Sequence, residues 1–238
     1  MKIKLDLHIH SYKSYDGRMT GEEIVRRCKA QGLQGAAICD HDILWQEGCP
    51  EEDFLLIPGC EFSTQYGHLL GLFLREPIEE RDFFKVLDAI HAQGGLAVLA
   101  HPFQHNTDEK RLEPILPLLD GVEVWNGRAN RKNKDANRMA LALSRQRSIP
   151  AFAGSDAHVP EEIGNGVLTI EVEELTFESV KEALRAGGEA SGREGKSIYV
   201  AASQLTKRRK QKAKPAAYVK WAAFCVKCCL EDCFRKRG

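Results

Sequence analysis

Ile3-Lys4-Leu5-Asp6-Leu7-His8-Ile9-His10 alternates strictly between apolar and polar residues, the pattern of a β-strand with two unlike faces. The apolar set, Ile3, Leu5, Leu7 and Ile9, is expected to pack against helices, with Asp6, His8 and His10 turned toward a polar interior. Thr20-Gly21-Glu22-Glu23 has capping-box spacing and opens a helix that runs to about Gln31-Gly32. Strand and helix then recur. Short apolar strands are expected at 35–39, 54–57 and 68–74, followed by a helix over 78–93 closed by Gly94-Gly95. Further strands fall at 96–100, 122–125, 151–153 and 166–172, with helices over 132–145 and 175–186. Repeated βα units imply a parallel sheet, and about seven of them can close into an α/β barrel of TIM-like type. The active site of such a barrel lies at the C-terminal ends of its strands.

At 238 residues the chain suits one barrel-sized domain. Its formal net charge of zero hides an asymmetry: residues 193–238 hold 13 Lys and Arg against 3 Asp and Glu. The division expected is a barrel over 1–192 and a basic, cysteine-containing appendage over 193–238. The acidity of the body argues against broad nucleic-acid binding by the barrel itself, although carboxylates that ligate metals are neutralised by their ions. Residues 1–4 run directly into the first strand, so no secretory signal is expected. No apolar run approaches the roughly 18 to 20 residues of a membrane-spanning helix. Cys28, Cys39, Cys49 and Cys60 are scattered through the body, and reduced thiols in the cytoplasm are the simplest reading.

The chemistry sits at the strand ends. His8, His10 and Asp16, then His41, then Glu61 and His68, then His101, then Asp156 and His158 make nine metal-ligand-type side chains and use six of the eight histidines. Imidazole nitrogens mixed with carboxylate oxygens suit Zn²⁺, Mn²⁺ or Fe²⁺, and nine ligands are too many for one ion. Several ions at one mouth point to hydrolysis, most naturally of a phosphate ester. Asp40 and Asp42 flank His41 and are expected to orient its imidazole. His91 lies within a helix and reads as a residue of the helix face.

The ordered set HIHS…SYDG, CDHD, PGCEFS…GHLLG, AHPF and GSDAH resembles the motif series of the PHP (polymerase and histidinol phosphatase) metal-dependent phosphoesterases, over residues 3 to about 170. The resemblance implies a distorted (β/α)7 barrel with up to three divalent ions. In that arrangement His8, His10, Glu61 and Asp156 hold the first ion. Glu61 bridges to a second ion completed by His68 and His101, and Asp16, His41 and His158 hold a third. The first two ions are expected to share a hydroxide that attacks phosphorus in line, which makes Glu61 and Asp156 the central catalytic carboxylates. The third offsets charge growing on the phosphate oxygens. His105 is a candidate proton donor to the leaving alkoxide, or a solvated loop histidine. Asn126, Arg128 and Arg18 are candidates for substrate binding, and either arginine serves equally well in a surface ion pair.

The substrate expected is a small phosphomonoester or a nucleotide. The alternatives are a nuclease acting on short oligonucleotides, C–N hydrolysis on the same kind of metal barrel, and an adaptor that contacts nucleic acid, a membrane surface or a partner through the basic run Lys207-Arg208-Arg209-Lys210. Catalysis is expected to survive removal of residues 193–238 if the barrel stays folded. Tyr218, Trp221, Cys225, Cys228, Cys229 and Cys233 recur at helical spacing and read as the packing stripe of an amphipathic helix rather than a zinc site.

Overall fold

One nine-stranded sheet organises the chain in the computed structural model, which describes residues 1–105 and 107–235. Its strands are β1 (Lys2–Ile9), β2 (Gly35–His41), β3 (Leu55–Thr64), β4 (Gly67–Leu72), β5 (Leu96–Leu99), β6 (Gly121–Asn126), β7 (Ala151–Gly154), β8 (Gly166–Glu171) and β9 (Glu189–Gly192). The helices are α1 (Gly21–Ala30), α2 (Phe83–Ala92), the single turn α3 (Glu109–Leu112), α4 (Ala136–Arg147), α5 (Phe177–Arg185), α6 (Ser197–Lys210) and α7 (Pro215–Arg235). Side chains cap several of them. The Thr20 hydroxyl accepts from the Glu23 N–H at α1, and the Asp82 carboxylate accepts from Phe84 and Lys85 at α2.

The sheet order is β7-β6-β5-β4-β3-β2-β1-β8-β9. Segments just beyond the two outermost strands of the β1–β7 set meet again. The His10 N–H donates to the Ala157 carbonyl and the Asp156 N–H to the His8 carbonyl, each at 2.8 Å. The result is a nearly closed α/β barrel, the fold class that the repeating pattern implies. It departs from a regular βα repeat at β4. That strand pairs antiparallel with both β3 and β5, and β3 reaches it through a tight turn at Gln65-Tyr66. An antiparallel partner needs only such a turn, whereas a parallel one needs a crossover. His68 therefore begins its strand rather than ending one, and still lies at the same mouth as the ends of β2 and β5.

The alternation in β1 does not hold along its whole length. Ile3, Leu5 and Leu7 join Ala37 and Cys39 of β2, Leu55 and Ile57 of β3, Leu70 and Leu72 of β4, and Phe152 of β7 in one core. Only the inner face of the barrel can bring those strands together. Ile9 instead packs with Met19, Ile24, Val25 and Cys28 on the α1 side. A register shift between Asp6 and Ile9 produces the switch, as a bulge does when it re-aims side chains. The expectation that all four apolar residues face helices is corrected accordingly. Asp6 does not point inward with the histidines; its carboxylate accepts from the N–H groups of Ser155 and Gly164. Burial pushes its pKa up to about 6, against those hydrogen bonds.

Beyond residue 193 the chain forms a helical hairpin. The basic run closes α6, where cations offset the partial negative charge of a helix C-terminus, and Pro215 starts α7. Asp232 accepts from the backbone N–H groups of Ser197 and Ile198 at 2.7 and 3.0 Å, and the Trp221 indole donates to the Ala201 carbonyl at 2.8 Å. Among the described residues, no helix is long and apolar enough to cross a membrane.

Of the tail cysteines Cys228 is buried, Cys225 half-buried, and Cys229 and Cys233 are exposed. Their sulfurs form no group of three or more metal donors among the described residues. Cys228→Ala is expected to cost about 1 kcal/mol in chemical denaturation, while Cys229→Ala stays within roughly 0.5 kcal/mol. A larger loss at Cys229 than at Cys228, or a fall in bound metal in the double variant, would overturn the packing role.

Candidate metal centre

The inner parity of each strand carries its ligand-type residue to the mouth. His41 continues the inward row Ala37, Cys39 of β2, and Glu61 continues Leu55, Ile57 of β3. His68 precedes Leu70 and Leu72 on β4. His101 follows β5, Asp156 and His158 follow β7, and Asp16 lies between β1 and α1. The nine side chains singled out in the sequence therefore converge.

Glu61 is the hub. Its Oε1 is 2.6 Å from His68 Nδ1, 3.1 Å from His101 Nε2 and 3.6 Å from His8 Nε2. Its Oε2 is 2.8 Å from His41 Nδ1 and 3.5 Å from His10 Nε2. Asp156 Oδ1 lies 3.3 Å from His10 Nε2 and 3.5 Å from His158 Nδ1. Asp16 Oδ1 is 3.3 Å from His158 Nε2 and 3.6 Å from His41 Nε2. Burial alone would raise the pKa of Glu61, but His68, His41 and His8 outweigh it and hold the carboxyl well below its usual range. Asp156 is lowered in the same way by His8, His10 and His158 against its own burial. Burial opposes the charged form of His41, yet Glu61 and Asp16 push its pKa up to about 10.

This arrangement fits divalent cations on three counts. Four sets of three donors, such as His8/Glu61/His101 and His41/Glu61/His68, have their ligand atoms within 4.8 Å of one another. His41 Nδ1 and Glu61 Oε2 crowd to 2.8 Å, yet neither they nor Asp16 Oδ1 makes a hydrogen bond of proper geometry, a costly buried state that a cation relieves. His101 and Asp156 hold left-handed backbone at φ 29° and 55°, strain of the kind that persists where a side chain must be aimed.

A second layer of contacts orients the donors. Glu123, buried inside β6, accepts from His8 Nδ1 at 3.0 Å, from the His101 N–H at 2.9 Å and from the Asn126 amide at 3.0 Å. That bond places the proton of His8 on Nδ1 and leaves Nε2 as the donor atom. Asp40 accepts from the N–H groups of Ser11 and Ser14, and the Ser14 hydroxyl meets His10 Nδ1 at 3.0 Å. Gly154 lets β7 approach here, since a Cβ at that position would lie 2.3 Å from His8 Cβ.

A cavity of about 240 Å³ opens over the cluster. Arg128, Arg131, Lys132, Gln104 and His105 line it beside the ligands, and Val200, Gln204 and Lys207 line it from α6. His105 stands at the rim with Lys132 Nζ 3.1 Å from its Nε2; burial and that lysine lower its pKa. Arg128 borders the cavity, but its fork is taken by Glu162 at 2.8 and 2.6 Å, and a third nitrogen donates to Ser203. Its partner is thus a buried acid, not a surface one. Asn126 does not face the mouth: it is buried beneath, and its amide donates to Glu123 and, at 3.4 Å, to Asp156. Arg18 is exposed and does not line the cavity. Asp42 turns away from His41 to pair with Arg81. His91 pairs with Asp120 at 2.8 Å, away from the cluster.

Sequence reading missed Glu123 and the cavity residues Lys132, Gln204 and Lys207. Glu123 left one sign, a charge between Val122 and Val124 in an otherwise apolar strand. Lys207 showed only as part of the basic run and Gln204 left no sign, because only tertiary folding brings them over the barrel.

The PHP domain pattern matches residues 6–148 and the PHP-associated pattern residues 134–188. The chain belongs to the PHP family and is a hydrolase of the metal-dependent phosphoesterase type. An uncharacterized protein of Methanocaldococcus jannaschii is 32% identical over 186 residues, covering 74% of this chain and 73% of its own. A two-domain protein from Bacteroides vulgatus with a PHP-like metal-dependent phosphoesterase superposes with a TM-score of 0.65 at 18% identity, over 87% of this chain and 70% of that one. A lesion-specific endonuclease from Pyrococcus furiosus gives a TM-score of 0.58 at 21% identity, over 80% of this chain and 57% of that one.

Glu123→Ala is expected to lower metal affinity by about 10- to 100-fold, because His8 and the His101 backbone lose their common partner. Metal retained after dialysis against a competing chelator measures it. Wild-type retention with an unchanged circular dichroism spectrum would rule out the orienting role.

Proposed function

We propose that the protein is a phosphatase of small phosphomonoesters or nucleotides, with divalent transition-metal ions held by the nine converging side chains. The observation that carries the reading is the Glu61 hub, a buried carboxylate whose two oxygens face different imidazoles and can serve two ions at once. His8, His10, Glu61 and Asp156 suit one ion, Glu61, His68 and His101 a second, and Asp16, His41 and His158 a third. Zn²⁺, Mn²⁺ and Fe²⁺ all match this donor set. Bound cations supply charge stabilisation and water activation for phosphoryl transfer.

The chain's own residues do the positioning. Glu123 sets the tautomer of His8, and Ser14, held by Asp40, aims His10. His105 and Lys132, 3.1 Å apart at the rim, keep a proton beside the place where a leaving oxygen departs. Arg128 acts on the site from a fixed position, clamped by Glu162, and contributes field rather than a free fork.

Cavity size supports a small substrate. At about 240 Å³ the space falls below the roughly 300 to 1,000 Å³ of pockets for drug-sized ligands. Likeness to a lesion-specific endonuclease favours a nuclease as the second reading, restricted here to short ends that fit under α6.

Metal analysis of anaerobically purified protein and a phosphate-release screen over sugar phosphates, histidinol phosphate, nucleotides and dinucleotides test the proposal. Activity is expected to disappear on chelation and return with Mn²⁺, Zn²⁺ or Fe²⁺. No more than trace metal, with no activity regained on adding any of the three, would end the metal reading. Release of nucleoside monophosphates from dinucleotides, without phosphate release from monoesters, would replace the phosphatase by the nuclease. Glu61→Gln is expected to lower kcat by at least about 100-fold, roughly 2.7 kcal/mol, and to reduce metal content. Near-wild-type turnover with full metal content in that variant would remove Glu61 from its proposed place.

A further inference from the structure

Among the described residues, the two lysines over the cavity have no acid partner to neutralise them. Arg128 is paired with Glu162 and Arg131 with Glu231. Lys132 instead meets the neutral acceptor His105, and Lys207 lies 4.4 Å from the centre of the Tyr15 ring. Among the described residues no carboxylate forms an ion pair with either lysine.

Position separates Lys207 from the reacting centre. Tyr15 stacks on His41 with ring centres 4.6 Å apart and planes inclined by 8°, and Lys207 sits over that same Tyr15 ring. Lys207 thus reaches the metal-ligand residues through the Tyr15 ring, which also stacks on His41. Lys207 lines the same cavity as Glu61, from the α6 side.

The helix that carries Lys207 is fixed to the barrel. Lys210, one turn further on α6, donates from Nζ to the carbonyls of Tyr12, of Ser14 at 2.7 Å and of Gly17 at 2.9 Å. Those three carbonyls belong to the loop that bears Asp16. On the opposite side Ser203 accepts from Arg128 at 3.3 Å. The C-terminal hairpin is thus tied to two parts of the mouth, and Val200, Gln204 and Lys207 line the cavity from it.

We propose that α6 is the specificity wall of the site, and that Lys207, with Gln204 beside it and Lys132 across the cavity, binds a second anionic group of the substrate, distinct from the phosphate that is hydrolysed. The substrate class is then a small phosphomonoester bearing a carboxylate or a further phosphate a few bonds from the scissile one. An unpaired ammonium in a half-enclosed cavity gives a charge-assisted contact that an uncharged alkyl group cannot supply. This inference rests on the phosphoester reading of the metal centre.

Three probes of nearly equal length test it on the full chain: propyl phosphate, 3-(phosphonooxy)propanoate and 1,3-propanediol bisphosphate. Wild-type kcat/KM is expected to be about tenfold higher for the doubly functional probes, mainly through KM, the scale of one charge-assisted contact. The carboxylate and bisphosphate arms show which group is preferred. Lys207→Met is expected to reduce that preference about tenfold, and Lys207→Arg to keep most of it. A purely structural role for Lys207 would lower turnover of all three probes together and leave the ratio intact.

Equal kcat/KM for all three probes in the wild type, or a preference that survives in Lys207→Met, would overturn the inference. Calorimetry with 3-carboxypropylphosphonate against butylphosphonate reads the same ratio without turnover. Lack of phosphate release from every probe would count against the phosphatase reading, and equal affinities in calorimetry would count against the second-anion subsite, so the two failures are distinguishable.

Discussion

A single buried carboxylate organises this molecule. Glu61 meets His8, His10, His41, His68 and His101, which come from four different parts of the chain. Removing such a group from water costs several kcal/mol unless opposite charge surrounds it. Strands β1, β2, β4 and β5, or the residues just after them, deliver that compensation to Glu61 on β3. The inner core below, with Leu5, Leu7, Ile57, Leu70 and Val98, fixes the height at which these groups meet. Apolar packing sets the floor, and the ionisable groups close it.

Around the hub, orientation depends on hydrogen bonds from residues that never reach the cavity. Glu123 and Asn126 of β6 and Asp40 of β2 hold His8, the His101 backbone and the loop that presents Ser14 to His10. Gly154 allows the approach of β7 that brings Asp156 to the cluster. The hairpin after residue 193 belongs to the same network, since Lys210 binds the carbonyls of the loop carrying Asp16. Its basic composition, which in isolation suggests a solvated linker, is spent partly on capping α6 and partly on this loop.

Family membership settles the class of chemistry and leaves the substrate to the cavity. Similar folds carry different activities because specificity lies in the loops and walls above a shared centre. The Pyrococcus furiosus endonuclease is about the same distance in fold as relatives described only as metal-dependent phosphoesterases. In this chain α6 lines the space over the donors with Val200, Gln204 and Lys207.

Much was legible in the residues themselves. The strand periodicity, the capping signals at Thr20 and the nine ligand-type side chains are local features, and the order of the motifs pointed to the family and hence to the barrel. Other features depend on partners distant in sequence. The register shift between Asp6 and Ile9 turns His8 and His10 inward beside Leu7, and no alternation rule reveals where a strand slips against its neighbour. The antiparallel course of β4 is what brings His68, at the beginning of its strand, to the same mouth as the ends of β2 and β5. Asn126 went from the mouth to the layer beneath it because Glu123 and Asp156 claim its amide. The sequence by itself determined which side chains could hold metal and that a barrel would gather them. Tertiary structure alone decided which faces they share and what covers them, because those depend on register, on closure between β1 and β7, and on a hairpin some 200 residues from the first histidine.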